Sequence, residues 1–193
     1  MNKIKIGIVG YGNLGKGVQY AAEQNKDMEV VAVFTRRSPE TVKTVLPVKV
    51  EKYENMKNYV GKIDVMILCG GSATDLPAQS AEIVKLFDTV DSFDTHARIP
   101  EYYAALDKSA KESDHLGAMS IGWDPGLFSL ARIYFGAALA AGNTYTFWGK
   151  GVSQGHSDAI RRVKGVKDAR QYTVPVESAL DRVRAGENPQ LTT

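Results

Sequence analysis

Near the start of the chain, Ile4-Lys5-Ile6-Gly7-Ile8-Val9 runs straight into Gly10-Tyr11-Gly12-Asn13-Leu14-Gly15, a G-x-G-x-x-G turn. A β-branched run ending in glycines reads as a buried strand, and Leu14 to Gln24 has the composition of a helix. Strand, glycine turn and helix in that order constrain this chain more than any other feature. Gly10 permits the tight turn, Gly12 lets a pyrophosphate approach the backbone, and Gly15 lets helix and strand pack closely. Phosphates would sit on the helix N-terminus, where free N–H groups and the helix dipole favour anions. The alternative is a purely structural turn.

The alternation continues. Glu29 to Phe34 reads as a second buried strand and Ile63 to Cys69 as a third, followed by a helix over about Pro77 to Phe87. Thr89 to Asp91 is expected as another strand, then a helix from about Pro100 to Glu112, and Leu116 to Ile121 completes the set. Strands separated by helices of this length imply right-handed crossovers and an α/β, Rossmann-type doubly wound parallel sheet over residues 1–121. The pattern changes after Gly122. Leu127 to Ala141 reads as a long apolar helix, Thr144 to Trp148 as a strand, Asp158 to Val163 as a short helix and Gln171 to Val176 as a strand. Residues 122–193 look like the start of a second, α+β domain. They are few for an independent one, so an incomplete chain is expected.

Composition excludes several classes. Of 193 residues, 44% are hydrophobic and 24% charged, with 24 Lys+Arg against 22 Asp+Glu, the balance of a soluble globular protein. A formal charge of +2 gives no global reason to expect nucleic acid or an anionic membrane. The lone Cys69 excludes an internal disulfide and a Cys-rich zinc site, and fits a reducing compartment. The longest apolar stretch, Leu127 to Ala141, is cut by Arg132 and falls short of the ~20 residues that span a bilayer. A soluble, cytoplasmic protein is expected.

The second strand ends Val33-Phe34-Thr35-Arg36-Arg37. An NAD site usually has an acid here for the ribose 2′-OH; this chain has a hydroxyl and two guanidinium groups. Arginine forks suit a 2′-phosphate, so the expected cofactor is NADP(H), the alternative being a solvated basic loop. Cys69-Gly70-Gly71-Ser72-Ala73-Thr74-Asp75 follows the third strand, where small residues let the nicotinamide ribose approach and Thr74 or Asp75 can cap the next helix. Ser92-Phe93-Asp94-Thr95-His96 follows the next strand on the same edge. Asp94 is a candidate to face substrate there, or a local turn residue. Trp123 and Trp148 could wall a pocket or sit in a core. Ser153 to Asp158 precedes the short helix and makes an anion-accepting N-terminus, with His156 read as capping or structural. His96 and His115 have less support, and with no His-x-x-x-His spacing no metal is expected.

Taken together, VGYGNLG, FTRR, CGGSATD, SFDTHARIP, GWDPGLFS, TFWGKGVSQGHSDAIRR and GVKDARQYTVP closely resemble the meso-diaminopimelate dehydrogenase family, essentially over the whole chain. That resemblance implies a homodimeric NADP-dependent amine dehydrogenase of bacterial lysine and cell-wall precursor metabolism. It would reversibly oxidise the D-centre of meso-2,6-diaminopimelate to L-2-amino-6-oxopimelate and ammonia. It implies cofactor contacts from Tyr11, Gly12, Asn13 and Leu14, from Thr35, Arg36 and Arg37, and from Cys69, Gly70, Gly71 and Ser72. Ser92, Phe93 and Asp94, with Ile121, Gly122, Trp123, Asp124 and Pro125, complete that set. It implies substrate contacts from Asp94, Asp124, Trp148, Gln154, Gly155 and Thr173, with Trp123 beside them, and residues 122–193 become part of a substrate and dimerisation domain. Family members run on past the equivalent of Thr193, and that part supplies an arginine, a histidine and an asparagine of the substrate pocket and much of the dimer interface.

Asp94 and Asp124 are expected just past strand ends, where they could bind the reacting ammonium and help remove its proton. The chain as given is expected to bind NADP(H) but turn over poorly. The competing expectations are another NADP-dependent oxidoreductase acting on a D-amino acid or sugar, and a truncated, non-catalytic NADP-binding protein.

Overall fold

A computed structural model describes residues 3–139, 141 and 150–187, with Gln154, Gly155 and Asp158 described in backbone only. The chain divides into two compact units, residues 1–133 and 134–193.

The first unit is built on a six-stranded sheet: β1 (Ile4–Val9), β2 (Met28–Thr35), β3 (Lys49–Lys52), β4 (Val65–Leu68), β5 (Asp88–Asp91) and β6 (Gly117–Ala118). The strand order is β3-β2-β1-β4-β5-β6, and every pair is parallel. Helices α1 (Asn13–Glu23), α2 (Asp75–Ile83) and α3 (Ile99–Ser113) link successive strands. The chain reverses its direction of travel across the sheet between β1 and β4. The carboxyl ends of strands at such a reversal form the crevice in which open α/β sheets bind ligands.

Period-two alternation puts each strand's side chains into two cores. Ile6, Ile8 and Val33 pack with Tyr11, Ala22 and Val42 on one face. Val9, Phe34, Met66 and Leu68 pack with Phe87, Phe93, Tyr102 and Leu106 on the other. Packing on both faces explains why Ile6 to Val9 of β1, Val30 to Phe34 of β2 and Val65 to Leu68 of β4 read as continuous apolar runs.

Strand β3 leaves no signal in the sequence pattern, because Lys-Val-Glu-Lys is an edge strand with polar neighbours. Its Glu51 accepts hydrogen bonds from Lys49 Nζ at 2.7 Å, Asn55 Nδ2 at 2.9 Å and Tyr59 Oη at 3.0 Å. The Lys49 ammonium, then Asn55, holds its carboxyl at about 2, below the ordinary 4.5. A depressed folded pKa stabilises the fold above 4.5 and loses that contribution as pH falls through about 2. Glu51→Gln is therefore expected to cost about 1 kcal/mol at pH 7. In thermal melts the gap from wild type should close as pH approaches 2; a gap independent of pH would contradict this.

Other boundaries also shift. The helix expected over Pro77 to Phe87 starts at Asp75 and ends at Ile83. Pro77 fits because a first-turn residue needs no N–H partner. The strand expected over Leu116 to Ile121 shrinks to two residues, since Ser120 takes a positive φ of 59°. Helix α4 (Leu127–Ala138) follows, and the division between the units falls inside it.

In the second unit, β7 (Gly151–Ser153) pairs antiparallel with β8 (Gln171–Thr173). Helix α5 (Gln154–Arg161) leaves β7 directly, four residues earlier than the expected start at Asp158. Buried Ser157 fastens it: the hydroxyl donates to Ser153 O at 2.5 Å and accepts from Gln171 N at 2.9 Å. Helix α6 (Glu177–Arg184), not read from the sequence, closes the described part. The expected strand Thr144 to Trp148 lies outside the described residues.

Candidate cofactor site and adjoining carboxylates

Gly10 takes φ +88°, and its N–H donates to Phe34 O at 2.9 Å, tying the first turn to the end of β2. A Cβ on Gly15 would collide with the Gly10 carbonyl, whereas a Cβ on Gly12 would meet nothing within 4 Å. Gly12 is the N-cap of α1, with no side-chain cap and no acid in the first turn. The helix N-terminus is thus open, uncapped and unneutralised, which fits a phosphate. Gly15→Ala is expected to lower stability by about 1–3 kcal/mol through overpacking. Gly12→Ala should leave the melting temperature near wild type and weaken dinucleotide binding; a matching fall in melting temperature for both would contradict these separate roles.

Tyr11 is 4% exposed, and its hydroxyl pairs with buried Gln19 and accepts from Val45 N. It can offer a cofactor only its backbone. The same holds for Phe93, fully buried and stacked on Tyr102 with ring centroids 4.0 Å apart. Asn13 and Leu14 are exposed on α1.

At the end of β2, buried Thr35 accepts the Arg37 N–H at 3.1 Å, and Arg37 Nη2 donates to Tyr11 O at 2.9 Å. The Arg37 guanidinium is therefore held beside the glycine turn. Arg36 reaches across the end of β1 to Asp75, Nη2 to Oδ1 at 2.5 Å. Asp75 does not cap α2; its other oxygen accepts the Gly71 N–H at 3.1 Å, and Thr74 makes no side-chain cap either. Gly10, Thr35, Arg36, Gly70 and Asp75 line one small pocket. The Arg36–Asp75 pair escaped sequence reading because 39 residues separate the partners.

Burial pushes the Cys69 thiol up to about 12, so it stays protonated and unreactive. Ser72 Oγ accepts the Asp94 N–H at 3.1 Å, joining the loops after β4 and β5. The Asp94 carboxylate is exposed and has no hydrogen-bond partner among the described residues. Gly122 lies against Ser92, where an added Cβ would be 3.5 Å from the Ser92 Cβ. Gly122 to Gly126 closes a tight loop, with Gly122 N donating to Pro125 O at 3.1 Å. That loop presents Ile121 and Trp123 to solvent, Trp123 at 69% exposure and tilted against Phe128. Asp124 is chelated by Arg132 of α4, at 3.2 and 2.8 Å. The Arg132 guanidinium holds the Asp124 carboxyl below its usual range, and His96 adds to the effect.

The structure thus gathers Gly10 to Gly15, Thr35 to Arg37, Cys69 to Ser72, Ser92 to Asp94 and Ile121 to Pro125 at or beyond the carboxyl edge of one sheet. Gln154 and Gly155 open α5 in the second unit, and Thr173 pairs with Gly151 there. Trp148 lies outside the described residues. His156 Nδ1 sits 2.9 Å from Ser153 Oγ, one helical turn back, and His115 pairs with Asp88 at 3.1 Å. Among the described residues no helix is long and apolar enough to cross a membrane.

Residues 4–90 match the oxidoreductase family with an NAD-binding Rossmann fold, and residues 122–193 match the diaminopimelic acid dehydrogenase C-terminal domain. All 193 residues align at 61% identity with a meso-diaminopimelate D-dehydrogenase of Ureibacillus thermosphaericus, spanning 59% of it. The Corynebacterium glutamicum enzyme of that name is 43% identical, again with 59% of its length spanned. The solved C. glutamicum diaminopimelate dehydrogenase, in complex with DAP, superposes with a TM-score of 0.88 at 42% identity, over 99% of this chain and 58% of that one. An engineered D-amino acid dehydrogenase bound to NADP+ gives 0.85 at 40% identity, over 98% of this chain and 58% of that one. Staphylococcus aureus homoserine dehydrogenase, 15% identical with a TM-score of 0.50, shares the fold alone. The chain is thus similar over its whole length to curated meso-diaminopimelate D-dehydrogenases and spans about three fifths of their length.

Proposed function

We propose that this chain carries the cofactor site and part of the substrate site of an NADP(H)-dependent meso-2,6-diaminopimelate D-dehydrogenase. The reaction is reversible oxidative deamination at the D-centre, giving L-2-amino-6-oxopimelate and ammonia, in a cytoplasmic homodimer. The observation that carries this reading is 61% identity over the whole chain to an enzyme of that name. The open Gly12 N-terminus and the Arg36–Arg37 pair, in place of a ribose-binding acid, support the cofactor. Residues 1–121 serve as the cofactor domain, and 122–193 contribute to the substrate side.

Arg36 and Arg37 hold the 2′-phosphate, and the first-turn N–H groups of α1 hold the pyrophosphate. Bound there, NADP+ supplies the two-electron oxidation of the substrate C–H bond. Ser92 to Asp94 and Gly122 to Pro125 orient the reacting carbon, which is mainly positioning work. Asp94, exposed and without a partner among the described residues, takes the ammonium proton, and Asp124, fixed by Arg132, supplies lasting negative charge to the developing iminium; water then adds to the iminium carbon and ammonia leaves. Gln154, Gly155, Trp148 and Thr173 are further candidates for binding the substrate.

The test is titration of the purified 193-residue chain with NADPH and NADH by fluorescence. Turnover is followed by absorbance with meso-diaminopimelate, other D-amino acids and sugars. NADPH should bind far more tightly than NADH, with slow turnover confined to meso-diaminopimelate. Failure to bind NADPH, or faster turnover of a sugar, would reject the assignment.

A further inference from the structure

One buried carboxylate outside the assigned residues ties together the two loops that carry Asp94 and Asp124. Asp91 ends β5 and is 2% exposed. Its Oδ1 accepts the Phe93 N–H at 2.9 Å and the Ser120 N–H at 3.1 Å. Its Oδ2 accepts the hydroxyl of Tyr102 in α3, whose oxygen also lies 2.5 Å from Ser80 Oγ in α2. A phenol has one proton. Given to the carboxylate, it leaves Tyr102 to accept from the Ser80 hydroxyl. The Asp91 carbonyl takes the Ile121 N–H at 2.8 Å, and Ser120 Oγ donates to Phe93 O at 2.8 Å. Ser120 has a positive φ of 59°, a conformation uncommon for serine that these bonds hold in place.

The partners of the Asp91 carboxylate are two amides and a phenol, all neutral. Burying a charge without a cation is costly, and apolar side chains of similar volume usually stabilise a core as well. A charge kept here does what an apolar side chain cannot: it accepts from several N–H and O–H groups at fixed angles, with the added strength of charge assistance.

We propose that Asp91 is a positioning residue. It sets the spacing between segment 92–94 and segment 120–125, and through them the half of the site that receives the nicotinamide and its ribose. This rests on the proposed function, in which those segments orient the reacting carbon, and hydride transfer puts the nicotinamide beside that carbon. The adenine half is anchored separately, through Gly10 N to Phe34 O and Arg37 to Thr35 and Tyr11. Loss of Asp91 should therefore damage one half of the site and spare the other.

The experiment compares affinities of the 193-residue chain for NADPH and for adenosine 2′,5′-bisphosphate, which has the phosphorylated adenosine half but no nicotinamide. Asp91→Ala should weaken NADPH about tenfold or more while the bisphosphate stays within about twofold. Asp91→Asn keeps an amide oxygen for the Phe93 and Ser120 N–H groups and should recover part of the loss. Tyr102→Phe removes only the outer link and should stay nearer wild type. Equal losses for both ligands overturn the proposal, as does wild-type NADPH affinity in a folded Asp91 variant. If Asp91→Ala does not fold, Asp91→Asn decides. If the wild-type chain binds neither ligand, the cofactor reading fails, and amide hydrogen exchange then tests Asp91 by itself. In Asp91→Asn the Phe93, Ser120 and Ile121 amides should exchange faster together while those of Asn13 and Leu14 hold; unchanged rates refute the positioning role.

Discussion

Arg37→Ala is expected to weaken NADP(H) binding roughly 10- to 150-fold, the equivalent of the about 1.5–3 kcal/mol carried by a charge-assisted phosphate contact. NAD(H) affinity should stay near wild type, because NAD(H) has no 2′-phosphate to lose. Arg37 is already placed for this work: its amide is held by Thr35 and its guanidinium by the Tyr11 carbonyl. Little ordering cost remains when the phosphate arrives. Arg36 differs, since its guanidinium is paired with Asp75 and its side chain is 62% exposed. A surface ion pair of that kind is worth about 0–1 kcal/mol, less than a phosphate contact, so the phosphate wins the competition for Arg36. Arg36→Ala should fall in the same range, toward its lower end. Parallel fluorescence titrations with NADPH and NADH decide the matter. Equal losses for both cofactors would show that the arginines only shape the loop.

Legibility in the sequence follows how local each signal is. Strands β1, β2 and β4 are readable because Ile6 to Val9, Val30 to Phe34 and Val65 to Leu68 are continuous apolar runs whose side chains pack into the two cores. The glycine turn was readable because each glycine answers a local demand: a positive φ at Gly10, open space at Gly12, backbone contact at Gly15. Strand β3 was not, because an edge strand such as Lys-Val-Glu-Lys carries no apolar pattern. Helix α6 was missed for the same kind of reason: Glu-Ser-Ala-Leu-Asp-Arg-Val-Arg is mostly polar and buries only Ala179. In the site, the ends of strands were legible and the links between them were not. Arg36 to Asp75, Asp94 to Ser72 and Asp91 to Ser120 join residues 39, 22 and 29 positions apart. Such contacts exist only once the parallel crossovers have placed the loops side by side. Tyr11 and Phe93 show the converse limit. Their places at the strand ends are legible in the sequence, but only packing reveals that both side chains turn inward.

Asp94→Asn should lower kcat by about 10²–10⁴, the usual contribution of a positioned general base. The assay uses this chain joined to the remaining length of the Ureibacillus relative, of which it spans 59%. The effect falls on kcat because the Asp94 carboxylate has no partner among the described residues, while its amide is fixed by Ser72. The group is thus both placed and free to take a proton. Asp124→Asn should cost less in kcat. Both Asp124 oxygens are taken by Arg132, and its carboxyl is held below the ordinary range. A carboxylate stabilised in that way is a poor proton acceptor, but it keeps its charge beside a developing cation. NADP(H) affinity should stay near wild type in both variants, since neither removes a phosphate contact. A larger loss in Asp124→Asn than in Asp94→Asn would reverse the two roles. Near-normal kcat in both would mean that the carboxylates shape the pocket without sharing in proton transfer.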